Sequence, residues 1–563
     1  MKKENFIIVG ITLIIVTISI SLAYFAAKIV GTPKDVDLAM KDLYVEFTDN
    51  TAELNANGIT PGWTYEKTFV VENRSNNIYK YDIIIKDLVN TFVTTDLQYR
   101  ITNTSENGGY SMSNFVSIPK SENVQDVKLA YSVSISMGEK QTYKLELKYV
   151  NSENAQNDDM GKILNGTLFI TEGTEQPTLL SKILEDNPTR STRSNNNNGK
   201  NDFSTSISTD TTGTLFTSTE SIVGGTPKEI YYYAGNTTNN WVKFGKYSSD
   251  KIMYRGYENG VSDYVDYSTL SRCTNASHHN KNCSEYKYWS VGDDIYWRII
   301  RTNHDSSIRL LYVGRSYDTT GGNIGKSSFG DDWNNVGYKY GEDTSLDTIR
   351  NNTTDSVIKT YIDSWYQNNL TDYTKYLSTT AVYCNDRNLG TGQTYSVNSD
   401  VAFASSDRLD LNNEGASANP TYNCADIRDA FSVDNTSAKL DYPIGLMTAD
   451  EIAFAGGVPN KDTYNNWYNV NSHFLSVSVS GWWTMTSYGS YMGTTVSDDK
   501  FPISYTWRLH SSSTSKFSTL SIQESIMENE VRPVISLKSC TLYRTGNGTY
   551  SEPYEIDVTS SKC

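Results

Sequence analysis

The 563-residue chain is poor in basic charge: 49 Lys and Arg stand against 65 Asp and Glu, a net charge of −16. That balance excludes nucleic acid and anionic lipid head groups as partners, because both repel an acidic surface. Histidine is scarce, with five in all, and none lies in an HExxH pattern or beside a recognisable nucleophile. G-x-S-x-G is absent as well. No catalytic residue is therefore assigned, and an enzyme is not expected. Gly321-Gly322-Asn323-Ile324-Gly325-Lys326-Ser327 comes nearest to a phosphate loop. It is one residue short between its first glycine and Gly-Lys-Ser, with Thr320 where that glycine belongs.

Long apolar runs are missing too, with one exception at residues 6–27, FIIVGITLIIVTISISLAYFAA. As a helix it reaches about 33 Å, enough to cross a bilayer. Lys2 and Lys3 precede it, so the N-terminus is expected in the cytoplasm and the bulk of the chain outside. A cleaved leader, with Ser21-Leu22-Ala23 as its processing site, is the alternative and leads to secretion. Residues 1–30 form this first segment, inserted in the membrane through 6–27 unless the leader is removed.

Hydrophobic residues make up only 37% of the chain, yet 12% aromatics, including 41 Tyr, is too many for a disordered polymer. Abundant Asn, Ser, Thr and Gly predict many turns between short strands. All six Cys lie beyond the apolar run, which favours disulfides outside the cytoplasm. Local pairing predicts Cys273–Cys283, Cys384–Cys424 and Cys540–Cys563. Cys273, His278, His279 and Cys283 could instead hold zinc, although adjacent histidines seldom point at one ion.

Residues 36–175 alternate. In Tyr143-Lys144-Leu145-Glu146-Leu147-Lys148-Tyr149 every second side chain is apolar, and residues 79–86 and 67–73 behave similarly. An antiparallel β-sandwich, jelly-roll-like, is predicted. Three features here resemble the camelysin/TasA-like surface proteins: Leu22-Ala23-Tyr24-Phe25, Asp42-Leu43-Tyr44-Val45-Glu46-Phe47, and Pro61-Gly62 followed by Phe69-Val70-Val71-Glu72-Asn73. The resemblance implies a structural or matrix role, with self-association possible, and in that family a comparable leader is removed.

Residues 176–212 read as one short amphipathic helix, with Leu179, Leu180, Ile183 and Leu184 on one face. A polar linker around four consecutive Asn follows. Beyond it, 213–563 is predicted as one α+β domain. A hairpin turns at Asn303-His304-Asp305-Ser306, and a helix spans 355–367. A second helix is capped by Thr448 and Glu451 and stopped by Gly456-Gly457.

The ordered motifs IGLMTADEIAFAGG, GWWTMTS and VRPVISL, beginning at Ile444, Gly481 and Val531, resemble the C-type-lectin-like and formylglycine-generating-enzyme-like superfamily. That resemblance implies a lectin-like fold which hosts adhesins and lectins as well as one oxidase branch. No Cys stands beside Arg532 in the terminal strand, which speaks against the oxidase.

Two sets of residues remain as site candidates. Trp482, Trp483, Tyr488, Tyr491 and Trp507 could stack on a glycan or anchor a protein ligand, although core packing is the commoner fate of such rings. Asp407, Asp410 and Glu414 offer hard oxygen ligands for Ca²⁺, in a spacing that matches no standard loop. The expectation is a mainly β, multidomain cell-surface binding or adhesion protein: a lectin-like domain on a sandwich stalk. A matrix or fibre subunit is the alternative.

Overall fold

The computed structural model describes residues 26–29, 43–47 and 56–57, and most of the chain from residue 59 to the end. Outside the description within that stretch are 106, 113, 152–155, 196–200, 204–213, 236, 259–263, 268–269, 276–278, 316–321, 332–336, 411–418, 461–465, 470–480, 495–499, 512–517 and 559–562. Most of the predicted membrane span, residues 6–25, thus lies outside the described residues. Its last two residues, Ala26 and Ala27, belong to a strand, which corrects the predicted helical end. Among the described residues no helix is long and apolar enough to cross a membrane.

The chain divides into two units. The first holds Met1–Pro177, Leu542–Gly546 and Thr559–Ser561, and the second holds Thr178–Thr541, Asn547–Val558 and Lys562–Cys563. The predicted boundaries change accordingly. Part of the supposed linker is strand Thr189–Thr192, paired parallel with Thr214–Glu220, and Arg193 and Phe203 are buried in the second unit. The sequence 542–546, assigned to the distal domain, returns to the first unit.

In the first unit, β1 (Ala26–Ile29), β2 (Leu43–Phe47), β3 (Ala56–Asn57), β4 (Thr64–Asn73) and β5 (Tyr79–Asn90) come first. Then follow β6 (Leu97–Asn103), β7 (Val116–Ser117), β8 (Ser121–Ile135), β9 (Lys140–Tyr149) and β10 (Leu164–Glu172). They form two five-stranded sheets, β3-β1-β10-β5-β8 and β2-β4-β9-β6-β7, antiparallel except for β1 beside β10. The alternation read from the sequence determines which face is dry. Gln141, Tyr143, Leu145, Leu147 and Tyr149 of β9 point inward, and the apolar four of them share one core with Ile83 and Ile85 of β5 and Leu168 of β10. Buried hydroxyls are satisfied within that core, where Tyr143 Oη donates to Gln141 Oε1 at 2.9 Å.

The second unit is also mainly β. The hairpin Asp294–Thr302 and Ile308–Gly314 forms as expected, with Ser306 of its turn at φ 62°. Strand Pro533–Leu537, buried throughout, lies between Ile308–Gly314 and Ile444–Leu446. The predicted helix at 355–367 is observed at Val357–Asn369 and is capped by Ser356, whose side chain accepts from Lys359 N. Thr354 and Asp355, just before the cap, form a short strand against Tyr340 and Lys339. The helix Ala449–Phe454 carries the expected capping box of Thr448 and Glu451. All three predicted disulfides are present, Cys273–Cys283, Cys384–Cys424 and Cys540–Cys563. The first uses both thiols that a zinc site would have needed.

Candidate functional site

Charged residues inside apolar strands are the first sign of a built centre in the second unit. Strand Asp294–Thr302 is buried over most of its length, yet it carries Arg298 and Arg301, while Ile308–Gly314 carries Arg309. Arg301 Nε donates to Glu451 Oε1 at 2.6 Å and its Nη2 to Glu220 Oε1 at 2.9 Å. Arg309 Nη1 donates to the same Glu451 oxygen at 2.5 Å. Glu451 Oε2 meanwhile accepts from Thr448 N at 2.8 Å. The capping glutamate therefore does two jobs, closing its helix with one oxygen and joining two guanidinium groups with the other.

A further guanidinium lies alongside. Arg408 Nε reaches Asp450 Oδ1 at 2.9 Å, and its Nη2 reaches Asp386 Oδ2 at 2.6 Å. Asp386 has φ 50°, a left-handed conformation that Asp tolerates better than most residues. The Cys384–Cys424 disulfide and Tyr422 complete the wall, with the Arg301 guanidinium 4.8 Å above the Tyr422 ring.

Burial alone would push the Glu220 and Glu451 carboxyls up. The neighbouring guanidinium groups outweigh it, lowering Glu451 and bringing Glu220 down to about 2. Four carboxylates (Glu220, Asp386, Asp450, Glu451) face three guanidinium groups, so the centre is nearly neutral. The space it encloses is about 20 Å³, room for roughly one water. Its chemistry is that of a rigid clamp on the 384–386 and 421–424 segments. None of Glu220, Arg301, Arg309, Asp386 or Arg408 stands out in the sequence as part of a motif. The available signal is the charge at positions where a strand buried on both faces should be apolar.

The aromatic candidates separate. Trp482 and Trp483 are both 0% exposed, and Tyr488 and Trp507 are 3% exposed. This burial corrects their assignment as ligand contacts. Trp483 Nε1 donates to Ser327 O at 2.9 Å, and Trp507 Nε1 to Ser405 Oγ at 3.1 Å, so their polar edges are spent inside the fold. Adjacent tryptophans on a strand point to opposite sides, and both sides are covered here.

Tyr491 is the exception, since it is only half-buried. It packs edge-on against Tyr505 with centroids 5.4 Å apart, and its hydroxyl meets that of Tyr488. Tyr488 Oη in turn donates to Asp410 Oδ2 at 2.7 Å. Beside this pair, Met492 N donates to Asp400 Oδ1 at 2.7 Å, and Asp400 is exposed.

The two described calcium candidates, Asp407 and Asp410, are engaged by different partners. Asp407 Oδ2 accepts from Thr391 N at 2.6 Å while Asp410 turns to Tyr488, and Glu414 lies outside the described residues. Asp407 lies within the helix Ala404–Leu409, whereas Asp410 is the residue that ends it. Among the described residues, three carboxylates do come within 4.8 Å of one another, at Asp355, Asp363 and Asp441. Their centre is filled by Lys359 Nζ, at 3.0, 2.5 and 2.6 Å respectively. The chain supplies its own cation there.

No family model matches the chain, and no curated protein does. Among solved structures, it is similar to AvmM, described as catalysing macrocyclization in alchivemycin A biosynthesis. That likeness has 12% identity and a TM-score of 0.14 over 24% of this chain and 92% of that one. Red sea bream transglutaminase gives 6% identity and a TM-score of 0.10 over 48% of this chain and 28% of that one. Neither likeness is strong enough to carry a conclusion about fold or activity.

Proposed function

We propose that the chain is an extracytoplasmic binding protein of a cell surface, with a lectin-like α+β unit as the recognition module and a β-sandwich as its stalk. The apolar run up to residue 25 would anchor it, or release it if cleaved. Support for the compartment comes from three disulfides, which persist in oxidising surroundings. The observation that carries the binding reading is the half-buried Tyr491–Tyr505 pair beside the carboxylates of Asp400 and Asp410. Partly exposed rings next to acceptors suit a sugar, whose C–H surface stacks while its hydroxyls donate. Glycan-array binding of the purified full chain tests this. Retained signals that Tyr491→Ala abolishes are expected. An array silent for the native chain, or unchanged by the substitution, defeats the lectin reading.

One observation favours the fibre-subunit alternative. The 15-residue strand β8 ends its sheet and carries Val124 at 64% exposure, and such an edge can pair with another chain. Concentration-dependent assembly in analytical ultracentrifugation is its test.

A further inference from the structure

The second unit holds another polar centre, apart from the networks above. Arg508 lies on strand Lys500–Ser511, with Trp483 as its register partner on one side and Ser521 on the other. Its Nη1 donates to Asn529 Oδ1 at 2.9 Å. Around that bond, three buried polar atoms have no hydrogen-bond partner: Arg508 Nε, Ser521 Oγ and Asn529 Nδ2. They are close together. Direct cross-strand partners hold their Cβ atoms about 5 Å apart, and Asn529 Nδ2 belongs to the amide whose oxygen already holds Arg508. Asn529 is 0% exposed, whereas Arg508 and Ser521 are half-buried and leave a way in.

The donor set has one sign. The guanidinium and amide nitrogens can only donate, and the serine hydroxyl can turn to donate. Other buried guanidinium groups have their N–H groups answered, by carboxylates at Arg301, Arg309, Arg387 and Arg408 and by neutral oxygens at Arg298, whose Nε donates to Asn240 Oδ1 and Nη2 to Thr237 O. Among the described residues no carboxylate pairs with Arg508. Burial holds its guanidinium below the ordinary range, and no neighbouring charge offsets that. Water could take up the free N–H groups but would leave the positive charge unanswered, whereas an oxyanion answers both.

We propose that Arg508, Ser521 and Asn529 form a binding site for one oxyanion, a carboxylate or a sulfate group. The uninterrupted pairing of Lys500–Ser511 with Ser518–Glu524 puts Arg508 and Tyr505 on opposite faces of their strand. The site therefore stands whether or not the aromatic pair binds a sugar.

The test titrates the purified full chain with sodium sulfate, and separately with sodium acetate, by calorimetry at constant ionic strength set with chloride. One saturable site is expected for at least one of the two. Arg508→Gln should remove it, and Ser521→Ala should weaken it several-fold. A sulfate response alone marks a sulfate ester as the natural source, and an acetate response alone marks a carboxylate. No saturable binding of either ion, or the same affinity in native and Ser521→Ala protein, overturns the proposal. Should Arg508→Gln fail to fold, Ser521→Ala decides by itself. A silent glycan array together with a saturable sulfate or acetate titration would sink the lectin reading and leave this site in place.

Discussion

Lys359 Nζ stands 2.6 Å from Asp441 Oδ2, tying the helix Val357–Asn369 to a segment 82 residues further along the chain. Asp355 and Asp363 complete the shell around the ammonium, whose side chain is 0% exposed. Removing the charge leaves three carboxylates facing one another. Lys359→Met is expected to cost about 3 kcal/mol in denaturant unfolding, less than a wholly buried pair because Asp441 is 56% exposed. Millimolar Ca²⁺ should then raise the melting temperature of the variant and leave the native protein unchanged. The same response in both would mean that Lys359 does not occupy the cation position.

Glu220 sets an acid limit. Its carboxyl is depressed to about 2 from an ordinary 4.5, so the stabilisation is complete above about pH 4.5 and is lost as pH falls towards 2. The stake is on the order of 3 kcal/mol. Unfolding followed by circular dichroism should steepen between those pH values, and Glu220→Gln should flatten that limb while lowering stability at neutral pH.

The disulfides should rank by the loop each closes. Cys384–Cys424 spans 40 residues, Cys540–Cys563 spans 23 and Cys273–Cys283 spans 10. Chain entropy assigns about 4 kcal/mol to the longest loop and about 3 kcal/mol to the shortest. Pairwise Cys→Ser variants melted side by side should keep that order. Loss of Cys384–Cys424 should do additional damage, because Val223 N and Cys424 N both bond across the segment that it pins.

Trp483→Ala and Tyr491→Ala should have opposite profiles. The first empties a fully buried position and is expected to cost about 4 kcal/mol of stability. The second removes a half-buried ring and should cost under about 1 kcal/mol while abolishing glycan binding. Parallel thermal melts and array readings separate the two.

The strands of the first unit are legible in the sequence because β9 alternates without a break, and that alternation alone assigns Tyr143, Leu145 and Leu147 to one side. The Thr448–Glu451 cap is legible for a similar reason, since capping is local and its spacing is short. The second role of Glu451 is not, because its arginine partners are 142 and 150 residues away in sequence. Trp482 and Trp483 show the same limit. A strand read singly predicts one wet face, and only the tertiary fold covers both. The polar linker begins later than its composition suggests, because Thr189–Thr192 gains a strand partner that no local pattern advertises.

The returning segment Leu542–Gly546 bears on how the molecule can be dissected. Arg544 Nη2 donates to Tyr99 Oη at 2.8 Å, a bond between residues 445 apart within the first unit. The second unit likewise holds Leu179 N against Thr541 O at 2.8 Å. A protease cut in the 196–213 stretch therefore yields two polypeptides, each still supplying a piece to the other's fold. They should separate on a denaturing gel and travel together on a native one. A fragment starting at residue 213 would lack the helix Leu179–Asp186 and the strand Thr189–Thr192 that pairs with Thr214–Glu220, so truncation there would cut through the second unit instead of between the two.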